Sequence, residues 1–84
     1  VLARQVAGAV EALREMQLYK PPGIAETIDW ATALGKLGAQ ELNEAFVDST
    51  LGAVLKYRED HARVRETGVN ALVKQALERG AFHG

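Results

Sequence analysis

Cysteine is absent from this 84-residue chain, which excludes disulfides and a thiolate metal site. That is compatible with a cytoplasmic setting. No apolar run approaches the roughly 18 residues that a membrane-spanning helix needs. The N-terminus lacks the charged region and apolar block of a secretory signal. Excess charge of one sign is missing as well. Ten basic residues face eleven acidic ones, so nothing draws the chain strongly to nucleic acid or an anionic membrane. Lys56, Arg58, Arg63 and Arg65 form a local basic cluster, but Glu59, Asp60 and Glu66 are interleaved with it. A DNA-binding reading therefore has little to stand on.

Equipment for free-standing catalysis is missing too. There is no GxxxxGK[ST] phosphate loop and no GxGxxG turn; Gly35-Lys36 lacks the upstream glycine and the following hydroxyl residue. The two histidines, His61 and His83, fall on different segments and make a poor metal pair. Ser49 and Thr50 have no nearby base to activate them. The chain opens at Val1 without an initiator methionine, and reads as part of a longer protein or as a processed form.

What is present is helical periodicity. An apolar fraction of 48% is too high for a disordered chain, and the length gives one domain near the lower limit of a self-sufficient core. Residues 2–18 carry Leu2, Val6, Ala9, Val10, Leu13, Met16 and Leu18 at spacings of three and four, with Arg4, Gln5, Glu11, Arg14 and Glu15 on the polar face. Gly8 inside this helix suggests a close helix crossing. A second helix, 24–37, repeats Ile24, Thr27, Ile28, Ala31, Leu34 and Leu37, with Glu26 and Asp29 near its positive end. Gly35 and Gly38 are stop signals. Its Trp30 reads as a core anchor whose indole nitrogen finds a partner, with ligand stacking as the alternative.

A third helix, 43–55, buries Phe46, Val47, Thr50, Leu51, Val54 and Leu55, with Asn43 the better candidate for its N-cap and Gly52 at a second close crossing. Residues 56–58 form a corner. The longest helix, 59–79, uses Ala62, Val64, Val69, Leu72, Val73, Ala76 and Leu77; Gly80 closes it and residues 81–84 fray. Its charged first half is either a solvated face laced with weak ion pairs or a docking surface over 59–66. No stretch alternates with period two long enough for a strand. The expectation is an all-α, four-helix bundle.

The break between the first two helices is the unusual stretch. In YKPPGIAETIDW, residues 19–30, two consecutive prolines remove donors and push Lys20 and Pro21 to extended conformations, and Gly23 then releases the chain into a helix. Extended to LREMQLYKPPGIAETIDWATALGKLGA and joined with DSTLGAVLKYRED, this wording resembles the C-terminal helical lid of MoxR-type AAA+ ATPases, over roughly residues 10–64. The branch it is most similar to serves maturation of carbon monoxide dehydrogenase and related molybdenum enzymes.

The resemblance implies an upstream AAA+ core carrying ATP and Mg, neither bound by this segment alone. It also implies a homo-oligomeric ring, a von Willebrand A-domain partner and a metalloenzyme client. It implies too that the start of the second helix, Gly23, Ile24, Ala25 and Glu26, lies near the nucleotide. Ala25 stands where relatives place a sensor arginine, and no arginine lies between Met16 and Arg58. Either Lys20 or the backbone N–H groups of residues 23–25 take its role, or the turn only joins two packed helices. The rival from another class is a stand-alone helical interaction module that docks through residues 59–66 without nucleotide.

Overall fold

The computed structural model describes residues 1–82. Their only regular elements are helices: α1 (Leu2–Glu15), α2 (Ile24–Lys36), α3 (Glu44–Val54), α4 (Arg58–Thr67) and α5 (Val69–Phe82). The expected all-α bundle is what forms, with five helices in place of four. The long C-terminal helix divides at Gly68, whose φ of 109° lies in a region closed to most L-residues. Its N–H still bonds the Val64 carbonyl and closes α4, while α5 restarts at Val69. Gly80 does not end α5; the helix passes through it to Phe82, and His83 and Gly84 lie outside the described residues.

Gly8 explains the packing of α1 on α5, the most extensive helix pair. A Cβ at Gly8 would meet the Ala76 carbonyl oxygen at 2.8 Å and the Arg79 Cβ at 3.0 Å. Only a residue without a side chain lets the backbones come this close. Gly52, expected at a second crossing, faces open space.

The core gathers Val6, Val10 and Leu13 of α1, Trp30 and Leu34 of α2, Val47, Leu51 and Val54 of α3, Val64 of α4, and Leu72 and Ala76 of α5. Trp30 is fully buried, and its indole Nε1 donates to Thr50 Oγ1 at 2.7 Å; the hydroxyl in turn donates to the Phe46 carbonyl at 2.6 Å. The expected anchor with a partnered nitrogen is what the fold contains. Gln5, read as polar-face, is buried instead, because its Oε1 accepts the Leu42 N–H at 2.8 Å from the α2–α3 connection.

Helix ends follow their local chemistry. Asn43 Oδ1 accepts the Phe46 N–H at 2.8 Å and caps α3 as expected. At the end of α2, Ala39 N–H bonds Leu34 O and Gly38 N–H bonds Gly35 O, both at 3.0 Å, with Gly38 at φ 75°. This is a Schellman motif, and buried Ala39 and Leu34 complete its apolar contact. The first helix stops three residues short of the expected 18. Met16 turns extended, and residues 16–22 run as a strap toward the prolines.

Candidate functional site

The strap and the start of α2 bring together every residue singled out for the nucleotide-proximal turn. Arg14 Nε donates to the Pro22 carbonyl at 3.0 Å and ties the strap to α1. At its other side stands Asp60, only 2% exposed, whose Oδ1 accepts the Tyr19 N–H at 2.8 Å and whose Oδ2 accepts the Lys20 N–H at 3.1 Å. Read from the sequence, residues 59–61 form a charged surface; Asp60 is a correction to that. Two strap N–H groups that the prolines leave without a helical partner satisfy the carboxylate, which makes its burial affordable. His61 Nε2 donates to the Leu55 carbonyl at 2.7 Å, closing the 55–57 corner beside it.

At the head of α2, Glu26 Oε1 accepts the Gly23 N–H at 2.8 Å, and Thr27 Oγ1 donates to the Gly23 carbonyl at 2.7 Å. This is the carboxylate half of a capping box; glycine has no side chain to return the bond. The Gly23 bond is the chief reason the Glu26 carboxyl lies below its ordinary value, and the Lys20 and Lys56 ammonium groups pull weakly the same way. The positive end of α2 thus has two lysines within electrostatic reach and an internal anion seated on it. Lys56 was legible only as part of a corner and of a mixed basic cluster, because nothing local connects it to a helix start some 30 residues earlier.

Ile24 and Ala25 occupy the first turn without entering the core. Ile24 is 77% exposed and Ile28 60% exposed, although both belong to the apolar set expected to face inward. The buried face of α2 runs instead through Trp30 and Leu34. A mostly apolar groove of about 260 Å³ remains between α1 and α2, lined by Ala7, Val10, Ile24, Thr27 and Ile28 with Glu11 and Arg14 at its rim. Among the described residues no helix is long and apolar enough to cross a membrane, and no group of His, Asp and Glu could hold a metal ion.

Compared with known protein families, with characterised proteins and with solved structures, the chain finds no match.

Proposed function

We propose that this chain is the helical lid of a MoxR-like AAA+ ATPase. In this reading it closes over ATP held by an upstream AAA+ core in the cytoplasm. It then couples hydrolysis to chaperone-like remodelling or metal-cofactor maturation of a partner enzyme. ATP and Mg belong to the core. A ring of identical subunits, a von Willebrand A-domain protein and a metalloenzyme client are the partners the reading supplies.

The observation that carries the proposal is the adjacency of two surfaces at the head of α2. One is a helix start near Lys20 and Lys56, where backbone N–H groups favour an anion. The other is the uncovered Ile24 and Ile28 groove alongside, a surface that packs against a neighbouring domain at little desolvation cost. A lid needs both, side by side. Since Glu26 already holds the Gly23 N–H, a phosphate must displace it or be met by Lys20 and Lys56 around it.

The test is made on the protein together with the sequence encoded upstream of Val1. A phosphate loop and an acidic strand motif in that sequence, with ATP-dependent slowing of amide exchange at residues 23–25, is the expected result. A core without those motifs, or exchange indifferent to ATP, sinks the reading. Trp30 fluorescence is a poor reporter for this purpose, because the indole is sealed in the core.

One observation favours the rival interaction module: among the described residues Glu59 and Glu66 form no ion pair, and two exposed tyrosines stand beside Glu59. Binding of a protein partner by the isolated chain, unaffected by nucleotide, is its signature.

A further inference from the structure

Two hollows meet at the strap where it crosses α4. One, of about 260 Å³, is lined by Tyr19, Tyr57 and Glu59; the other, of about 370 Å³, is lined in part by Tyr19, Glu59, Arg63 and Glu66. Tyr19 and Glu59 line both. The two tyrosine rings lie 6.2 Å apart, tilted by 60°, and Tyr19 is 77% exposed. Large aromatic side chains placed in water beside unpaired carboxylates need a reason.

The backbones carrying these rings are held by hydrogen bonds. Asp60 accepts the Tyr19 N–H, and the Tyr57 carbonyl accepts the N–H groups of Asp60 at 3.1 Å and His61 at 3.2 Å. Both tyrosines are therefore fixed to the same first turn of α4. A guest would meet a surface whose ordering cost is already met by the fold. Asp60 is spent on the strap, which leaves Glu59 and Glu66, without an ion pair among the described residues, against Arg63, the one cation lining the hollows. Lys20 and Lys56 adjoin the tyrosines in sequence, but neither lines the two hollows and their charges act on Glu26.

We propose that these hollows form a docking site for an arginine side chain of a partner polypeptide. A planar guanidinium lies against the Tyr19 ring while its N–H fork donates to Glu59, with Glu66 adding a weaker attraction from about two turns further along α4. Lysine, a compact and strongly hydrated point charge, matches the carboxylates but not the ring face. Arg63, four residues after Glu59 and three before Glu66 on the same helix, is the internal competitor for both carboxylates. The site is separate from the head of α2 and stands whether or not the lid reading does.

The probe is the acetylated, amidated tripeptide Gly-Arg-Gly, titrated into the chain while the ring resonances of Tyr19 and Tyr57 are followed. Saturable shifts are expected, with binding at least tenfold weaker when citrulline, an uncharged isostere, replaces arginine. Tyr19→Ala abolishes the response while the exposed position leaves the fold's circular dichroism intact. Glu59→Gln weakens binding several-fold, and Arg63→Gln strengthens it. Shifts that never saturate overturn the proposal. Equal binding of the citrulline peptide does so too, as does a lysine peptide that matches arginine or a Tyr19→Ala variant that binds normally.

Discussion

Helices α5 and α4 are attached to the same bundle by opposite means. Helix α5 lies against α1 with backbones nearly touching at Gly8, and its Leu72 and Ala76 enter the core. Helix α4, its neighbour across one glycine, gives the core a single apolar side chain, Val64. Its second buried residue is Asp60, and what holds it in place is a pair of hydrogen bonds to a segment 40 residues away. Close apolar packing is non-directional and tolerates sliding. A two-pronged carboxylate fixes one strap in one register. The contrast shows how a helix that is nearly all charge still acquires a defined position.

The strongest way to break the comparison is to overfill the packed side. Gly8→Val drives a branched side chain into the Ala76 carbonyl and is expected to destabilise the fold by about 3 kcal/mol, read from urea unfolding followed by Trp30 fluorescence. Next comes the polar side. Asp60→Ala strands two backbone donors and is expected to cost about 2 kcal/mol, with amide exchange at Tyr19 and Lys20 rising before global unfolding. An Asp60→Ala variant that leaves those amides protected would remove the clasp from the account of α4.

Thr50→Val calibrates both by deleting a hydrogen bond inside the core itself. The buried Trp30 N–H loses its acceptor, for an expected loss of about 1–2 kcal/mol and a change in the indole emission. Smaller still is Arg65→Ala, which removes an exposed pair with Asp48 and is expected to change stability by less than about 0.5 kcal/mol.

The subtlest test concerns pH on the packed side. Arg79 on α5 meets Glu15 on α1 through two hydrogen bonds, of 2.9 and 2.7 Å. Those bonds, and then the guanidinium charge, hold the Glu15 carboxyl below its ordinary value of 4.5. A carboxylate lowered on folding adds stability above its unfolded value, and the addition disappears as pH falls through the lowered folded value. Glu15→Gln is therefore expected to flatten the acid limb of the stability curve, by lowering stability slightly at neutral pH while leaving strongly acid pH nearly unchanged.

What the sequence displayed and what it concealed divide along the same line. Helix α1, the Asn43 cap, the α2 stop signals and the Trp30 anchor were legible because periodicity and caps are local. The inward face of α2 was read only in part: Leu34 is buried and Ala31 packs on the core as expected, but Ile24, Ile28 and Leu37, which repeat at the same helical spacing, turn outward. Only the docking of Trp30 against Thr50 sets which side turns in. The break at Gly68 hid within an otherwise continuous helical pattern. Burial of Asp60 and Gln5 was invisible, because each depends on a backbone N–H some 40 residues distant. At the head of α2 the Pro-Pro-Gly break was legible as a turn, and the reach of Lys56 to Glu26 was not, for the same reason.

The glycine-tight contact of α1 with α5 also decides how the molecule responds to mechanical load. Val1 and Gly80 line one hollow, so the first helix and the last begin and finish beside each other. Tension applied between residues 1 and 80 loads that seam first, peeling it from one end. A pull on both ends therefore parts the seam one turn at a time, like a zip, rather than shearing the whole length at once.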